Sequence, residues 1–168
     1  MVLFQGKYLR IISREGWEYV ERVHCNEAVV ILAVNEKDQV ILIEQYRPPL
    51  DAPVIEFPAG LLKDPDAPAH ETREEAALRE LLEETGYQAE DVELVAGGPP
   101  TPGLSSEIAV FYQATSVKKV SQGGGVGSEK ITVHEVPLKK VDGWLQGMEA
   151  KGRLIDPKVY AGLYFLRK

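Results

Sequence analysis

The sequence predicts an α/β fold, a three-layer α/β/α sandwich in which a mixed β-sheet lies between helices. Short apolar segments bounded by turns alternate along the chain with amphipathic segments of helical length. Residues 28–34 form a continuous apolar run, which is typical of a central strand buried on both faces. The length of 168 residues suits one domain with its own core, and no linker or internal repeat divides it.

The elements follow in order from local patterns. The chain opens with a predicted β-hairpin, residues 7–13 and 17–23, with glycine in the turn Arg14-Glu15-Gly16. The remaining strands are expected at 28–34, 39–45, 54–60, 92–95, 107–114 and 131–136. Helices are expected at 71–85, 138–150 and 157–167, the last with Asp156 as its N-cap and Pro157 at its first position. Residues 97–103 are expected to form a rigid loop, and residues 121–128 are too rich in glycine for one fixed shape to be expected.

Composition limits the class of protein. A net charge of −7 argues against a general nucleic-acid binder, which would carry a basic surface. We expect no membrane segment, because no apolar run approaches the eighteen or more residues of a membrane helix, and no secretory leader, because residues 1–10 lack its apolar region. The single cysteine, Cys25, excludes an internal disulfide and favours the cytoplasm.

The most informative stretch lies near the end of the helix predicted at 71–85. Glu80, Glu83 and Glu84 stand at positions i, i+3 and i+4 and share one helix face, while the neighbouring leucines are expected to turn toward the core (Leu78, Leu81 and Leu82). Like charges at this spacing repel by about 0.2–0.5 kcal/mol per pair, a cost that a bound cation would offset. Carboxylate oxygens suit a hard ion such as Mg²⁺. The spacing alone leaves a solvated acidic face about equally plausible. Gly86 is expected to cap the helix.

This segment resembles the Nudix box, the glycine–loop–helix motif of hydrolases that cleave nucleoside diphosphates linked to another group. Glu71 stands eight residues before Arg79, and the sequence from Arg79 to Gly86 matches the motif in register. Tyr87 replaces the usual aliphatic residue. Gly60 lies eleven residues before Glu71 rather than six, and we interpret residues 63–68 as carrying a five-residue loop insertion.

Flanking motifs narrow the resemblance to the ADP-ribose and nucleoside-diphosphate-sugar pyrophosphatases. They are Gln45-Tyr46-Arg47-Pro48-Pro49, Ile55 to Gly60, Pro102-Gly103-Leu104-Ser105 and the tail from Leu154 to Leu166. The resemblance implies a Nudix-type sandwich with an N-terminal hairpin extension. It also implies Mg²⁺-dependent hydrolysis of the substrate's pyrophosphate bond to a nucleoside monophosphate and a sugar phosphate. The partner would be a second copy of the chain, with residues 1–24 at the interface of the homodimer.

The resemblance also implies a metal site and a general base. The carbonyl of Ala59 and the carboxylates of Glu80, Glu83 and Glu84 would hold Mg²⁺, with Mn²⁺ as an alternative. Glu83 and Arg79 would belong to the catalytic set. Glu129, which follows the glycine run, occupies the place of the general base; the alternative is an exposed loop acid without a role.

Substrate contacts are implied in the same way. Trp17 would stack on the base, and Tyr8 would supply a second ring from the other subunit; hairpin packing is the alternative for both. Arg22 and Arg47 would contact phosphate or base, with surface ion pairs as the alternative. Further contacts are implied for Glu107, Gly103 and Leu104. The branch often has Asp-Pro-Gly where this chain has Thr101-Pro102-Gly103, so the choice of sugar stays open.

Three rival functions remain open at this point. The first is a Nudix hydrolase for another diphosphate, such as a dinucleotide or an oxidised nucleotide. The second is a catalytically silent module that binds ADP-ribose as a regulator, although the intact Glu80, Glu83, Glu84 and Arg79 speak against it. The third is a structural dimer module with an acidic face, which predicts ligand binding independent of Mg²⁺.

Overall fold

Strand β4 (Glu27–Leu32) runs through the centre of the molecule and contributes to two hydrophobic cores. The structure is a computed structural model that describes residues 1–62, 70–127 and 129–168. The loop insertion expected at 63–68 therefore lies outside the described residues, as does the last residue of the glycine-rich segment 121–128. Val29 and Ile31 enter one core and Val30 and Leu32 the other, because successive side chains of a strand point to opposite faces.

Within the described residues the strands and helices have the following bounds. The strands are β1 (Val2–Gln5), β2 (Leu9–Arg14), β3 (Trp17–Arg22), β4 (Glu27–Leu32), β5 (Gln39–Arg47), β6 (Ala52–Glu56), β7 (Ala59–Leu61), β8 (Tyr87–Gln88), β9 (Asp91–Gly98), β10 (Ile108–Thr115), β11 (Lys118–Lys119), β12 (Ile131–Pro137) and β13 (Leu154–Ile155). The helices are α1 (Arg73–Thr85), α2 (Val141–Glu149) and α3 (Pro157–Leu166), with short 3-10 turns at Pro48–Leu50 and Leu138–Lys140.

The sheets are mixed, as predicted. One has the order β7-β4-β10-β9, with β10 parallel to β4 and the other pairs antiparallel. Another has the order β12-β5-β6-β13, with β13 parallel to β6. Helix α1 packs on the core that contains Val29 and Ile31, whereas α2 and α3 pack on the core that contains Val30 and Leu32. Helices on both faces of the strands confirm the predicted α/β sandwich.

The N-terminal hairpin is present, and β1 extends it to a three-stranded sheet in the order β1-β2-β3. Arg14 pairs with Trp17 across a two-residue turn in which Glu15 and Gly16 both have positive φ. The sequence analysis missed β1, because its side chains are all exposed and it has no alternating pattern. It also missed the two-residue strands β8, β11 and β13, which are too short to carry a periodic signal.

Two details of the predicted loops differ from expectation. Gly97 and Gly98, predicted to lie in a rigid loop, extend β9 and pair with β10. Within the segment expected to lack a fixed shape, residues 121–125 lie against the C-terminal end of α1 through backbone hydrogen bonds. In both places the glycine backbone pairs with a neighbouring segment, and such long-range pairing has no signature in local composition.

Helix α1 begins at Arg73, two residues later than predicted, and ends as predicted. The hydroxyl of Thr72 accepts a hydrogen bond from the backbone N–H of Glu75, whose carboxylate accepts one from the N–H of Thr72. This capping box fixes the first turn. Gly86 has φ 73° and its N–H donates to the Leu82 carbonyl, so the predicted glycine cap is confirmed. Among the described residues, no helix has the length and apolar character needed to cross a membrane.

Candidate active site

Arg79 organises the acidic end of α1. Its guanidinium donates two hydrogen bonds to the buried carboxylate of Glu71, from Nε at 2.6 Å and from Nη2 at 3.1 Å. Nη1 also donates to Glu80 at 2.7 Å and to Glu83 at 3.2 Å. These hydrogen bonds hold the pKa of Arg79 above its usual value. One planar cation therefore gathers three carboxylates of the motif, those of Glu71, Glu80 and Glu83.

Glu84 faces the protein interior rather than solvent. It is 4% exposed and shares the buried side of α1 with Leu81 and Thr85, whereas Leu82, expected in the core, is 38% exposed. The prediction for Leu82 is wrong because the rotation of the helix turns positions 81, 84 and 85 toward the sheet. The carboxylate of Glu84 accepts a hydrogen bond of 2.9 Å from the backbone N–H of Ala59. The acidic cluster is therefore inserted between helix and sheet.

Burial and like charges shape the electrostatics of this cluster. The pKa of Glu84 is raised to about 8, chiefly by loss of solvent; the hydrogen bond from the Ala59 N–H opposes this rise, and the nearby carboxylates of Glu80, Glu129 and Glu56 add to it. Burial also raises the pKa of Glu80, although Arg79 opposes this. A desolvated carboxylate among other acids is costly unless positive charge is supplied. The site is thus arranged to favour a cation.

Gly60, the first residue of the sequence motif, allows the helix to approach β7. A Cβ atom built at this position would overlap the carboxylate of Glu80. Ala59 and Gly60 pair with Val30 and Val29 of β4, so the central sheet fixes their position. A side chain at residue 60 would push Glu80 away from the strand. This explains in physical terms why the motif begins with glycine.

The oxygen atoms of this cluster are of the kind that binds a hard divalent cation, but they are hydrogen-bonded to other groups of the protein. The carboxylate oxygens of Glu80, Glu83 and Glu84 and the backbone of Ala59 are the ligand types that Mg²⁺ prefers. However, Arg79 holds Glu80 and Glu83, and Glu84 is held by the Ala59 N–H. In the part of the chain that the structure describes, no group of three or more acidic, histidine or cysteine side chains has the geometry of a metal site. The predicted ligands are therefore brought together, and their coordination stays a prediction.

Glu129 lies beside this cluster, as its assignment as the base requires. Its charge perturbs both Glu80 and Glu84, which places the three carboxylates in one electrostatic environment. The carboxylate accepts a hydrogen bond of 2.9 Å from the Val126 N–H, and the residue is exposed. Its role as the base stays a prediction.

The predicted base-binding residue Trp17 lines a cleft of about 300 Å³. The cleft lies between the hairpin and the loop that contains Gly103, and its lining also includes Arg14, Tyr19, Pro102 and Ser106. The backbone joins the two walls: the Val20 N–H donates to the Leu104 carbonyl at 2.8 Å, and the Ser106 N–H donates to the Val20 carbonyl at 3.2 Å. Trp17 is 64% exposed, so its ring is accessible to a ligand.

Tyr8 does not share this cleft with Trp17 within one chain. Trp17 stands at the turn of the hairpin opposite Arg14, whereas the carbonyl of Tyr8 accepts the N–H of Val23 at the other end. Six residue steps of extended chain, from Trp17 to Val23, separate the two ends by roughly 20 Å. A base between the two rings would therefore need Tyr8 from a second copy, in keeping with the prediction that a partner supplies it.

The predicted arginines are both engaged by carboxylates. Arg22 Nε donates to Glu107 at 2.6 Å, so two predicted substrate contacts bind each other. Arg47 donates two hydrogen bonds of 2.9 Å to Glu56; burial alone would lower the pKa of Arg47, but these bonds keep it above its usual value. Arg47 and Glu56 line a second cleft of about 750 Å³ together with residues around Asp156. The sequence analysis missed Glu56 as a partner of Arg47, because the two side chains meet only when β5 and β6 lie side by side in the sheet.

Residues 25–161 match the NUDIX domain family. The chain belongs to the Nudix family. A methanol dehydrogenase activator of Bacillus methanolicus is 32% identical over 83% of this chain and 71% of its own length. A mouse ADP-sugar pyrophosphatase is 42% identical over 80% of this chain and 64% of its own length. The chain thus spans somewhat less than two thirds of the mouse protein. The crystal structure of an ADP compounds hydrolase superposes with a TM-score of 0.74 over 99% of this chain and 89% of that protein; at 22% identity it shows the fold alone.

These matches confirm the resemblance drawn from the Nudix box and its flanking motifs. They place the chain in the branch of Nudix pyrophosphatases that the motifs indicated. Nudix hydrolases generally use divalent metal ions, which agrees with the acidic cluster on α1. The helix of the motif, the glycine of its loop and the buried carboxylates are all present within the matched residues.

Proposed function

We propose that this Nudix protein hydrolyses the pyrophosphate bond of ADP-ribose or a related nucleoside diphosphate sugar in the presence of Mg²⁺. The products would be a nucleoside monophosphate and a sugar phosphate. One observation carries the proposal: Glu80, Glu83 and Glu84 of the Nudix helix gather beside the sheet, with Glu84 desolvated among like charges. Such an arrangement is stabilised by bound dications, and a diphosphate substrate needs them as well.

The residues of the cluster have separate roles in this proposal. Glu80, Glu83 and Glu84, with the carbonyl of Ala59, would hold the cations. Bound Mg²⁺ would supply neutralising charge for the diphosphate and acidify the attacking water. Arg79 binds Glu71 through a two-pronged contact and keeps the acidic side chains on one side of α1. Glu129 would accept the proton of the attacking water.

The substrate would extend from the acidic cluster toward the clefts lined by Trp17 and by Arg47. Trp17 would stack on the base, and Arg22 and Arg47 would bind phosphate oxygens after exchanging their present carboxylate partners. The ADP-sugar pyrophosphatase relative supports an adenine nucleotide sugar as the first substrate to test. We further propose a cytoplasmic homodimer, since Cys25 is free and the exposed Tyr8 would complete the base site of a second copy.

A substrate panel tests this proposal directly. Purified protein would be incubated with ADP-ribose, ADP-glucose, GDP-mannose, a diadenosine dinucleotide and an oxidised nucleoside triphosphate, each with Mg²⁺ or with EDTA. We expect AMP and ribose 5-phosphate from ADP-ribose with Mg²⁺ and no turnover with EDTA. Preferred turnover of the dinucleotide or oxidised nucleotide would instead establish the rival Nudix activity. Absence of turnover throughout the panel would refute the proposal.

A regulatory role without turnover is the second candidate, and the relative named as a methanol dehydrogenase activator favours it. Calorimetric titration with ADP-ribose separates the candidates. Tight binding in EDTA, with the ligand recovered intact after incubation with Mg²⁺, would support a regulator. Recovery of AMP would support the enzyme.

A further inference from the structure

A glycine-containing strap, residues 120–125, is bound to the end of the Nudix helix through its backbone. Two N–H groups of the strap, those of Val120 and Ser121, donate to the Gly86 carbonyl at 2.9 and 3.1 Å. Further along, the Gly124 N–H donates to the Glu84 carbonyl at 2.8 Å, and the Gly125 N–H donates to the Glu83 carbonyl at 3.1 Å. The last carbonyls of a helix have no partner within it, so the strap satisfies groups that would otherwise face solvent.

The contact between strap and helix depends on glycine on both sides. A Cβ atom on Gly123 would overlap the backbone of Thr85 and lie 2.5 Å from the Gly86 nitrogen. Conversely, a Cβ atom on Gly86 would overlap the Ser121 carbonyl and lie 2.7 Å from the Gly123 nitrogen. Both residues also have positive φ. The two backbones therefore approach each other as closely as they do because neither carries a side chain.

The strap leads directly to Glu129. The Val126 N–H, one residue beyond the strap, donates to the Glu129 carboxylate at 2.9 Å, and the Ile131 N–H donates to the Gly124 carbonyl at 3.3 Å. A Cβ atom on Gly125 would lie 2.6 Å from Glu129 Oε2 and 2.7 Å from Glu129 Cβ. The strap is thus hydrogen-bonded at its start to Gly86 and at its end to Glu83 and Glu84, and that same end lies against Glu129.

We infer that the strap is a positioning element that sets Glu129 relative to the carboxylates of α1, with Gly123 as its principal positioning residue. This inference rests on the proposed function, in which those carboxylates hold the metal and Glu129 is the base. The groups belong to segments more than forty residues apart in sequence, and among the described residues the strap connects them through backbone hydrogen bonds. A displacement of about 1 Å between reacting groups can cost a hundredfold in rate.

The test compares Gly123→Ala with Gly127→Ala. Both glycines have positive φ, at 68° and 62°, so alanine strains the backbone similarly at each. Gly127 has no heavy atom within 4 Å of its added Cβ, which makes it a matched control for strain alone. With ADP-ribose and Mg²⁺, we expect G123A to lower kcat at least tenfold with KM within about threefold. G123A should also raise the Mg²⁺ concentration needed for half-maximal rate. For G127A, we expect kcat, KM and this Mg²⁺ concentration to stay within twofold of the wild-type values.

Separate outcomes judge the inference and the function on which it rests. No Mg²⁺-dependent hydrolysis by the wild type would overturn the proposed function. An active wild type with G123A equal to G127A in kcat would overturn only the positioning role. If circular dichroism shows that G123A does not fold, Gly125→Ala decides instead, because the three atoms nearest its added Cβ belong to Glu129 and Ile131 and none of them to α1. We expect G125A to lower kcat at least tenfold without changing the Mg²⁺ requirement, and a wild-type kcat would overturn the inference.

Discussion

Replacing Arg79 by methionine should destabilise the protein well beyond the usual effect of losing a surface ion pair. Glu71 is 6% exposed and accepts two hydrogen bonds from Arg79, at 2.6 and 3.1 Å. Methionine fills similar space but leaves the Glu71 carboxylate buried without its cation. Removing one partner of a buried pair costs about 3–5 kcal/mol. Because Glu80 and Glu83 can regain water when Arg79 is lost, we expect the lower end, about 3 kcal/mol.

The assay is urea unfolding at pH 7 in EDTA, followed by circular dichroism. In a thermal unfolding experiment on a domain of this size, the same loss of about 3 kcal/mol would lower Tm by roughly 6–12 °C. Arg73→Met is the matched control, because Arg73 also makes a two-pronged contact with a carboxylate, that of Glu27, but at the exposed surface. Exposed pairs contribute about 0–1 kcal/mol, so the control should change the free energy of unfolding little.

A double variant isolates the cause. Glu71→Gln alone removes the buried charge, and in the Arg79→Met background it should recover most of the lost stability. The two substitutions would then be strongly non-additive, as expected for groups in direct contact. An Arg79→Met protein within 1 kcal/mol of the wild type, or one that Glu71→Gln fails to rescue, would refute the view that Arg79 stabilises a buried acidic cluster.

Three further predictions concern turnover with ADP-ribose. Glu83→Gln should retain the fold, abolish the Mg²⁺-induced rise in Tm and cut turnover by orders of magnitude. Its control is Glu93→Gln, which replaces an exposed acid on β9 and should match the wild type. Unchanged turnover in Glu83→Gln would remove Glu83 from the site. Glu129→Gln should lower kcat by about 100-fold or more with little change in KM, because general-base catalysis contributes that much; surviving activity would assign the base to another acid. Trp17→Ala should raise KM by about tenfold or more while sparing Tm, since stacking on a base is worth about 1–3 kcal/mol, and an unchanged KM would show that Trp17 does not bind the base.

Local sequence patterns correctly predicted the strands and helices that have a strong apolar pattern or a recognisable capping residue. The apolar run at 28–34 became β4, and the glycine after the last acid of the motif became the C-cap of α1. Asp156 caps α3, with Pro157 at its first position, as the sequence indicated. Each of these features depends on neighbouring residues only, so the sequence contains the whole signal.

The orientation of the acidic helix face was harder to predict from the sequence. The spacing of Glu80, Glu83 and Glu84 grouped them correctly, but it placed Leu82 in the core and left Glu84 with the exposed acids. Only the docking of α1 on the sheet decides which of these side chains is buried, because the rotation of a helix about its axis is set by its packing partners. The N–H of Ala59 that meets Glu84 comes from a strand twenty-five residues earlier.

The sequence by itself determined the family, the α/β class and the grouping of Glu80, Glu83 and Glu84 on the helix, since the Nudix motif and the helix signals are local. Tertiary structure alone decided the pairing of Arg79 with buried Glu71, the pairing of Arg22 with Glu107 and the contact of the glycine strap with the helix end. These contacts join segments that are distant along the chain. Their formation depends on the register of strands and the close approach of backbones, and neither can be predicted from the residues of one segment.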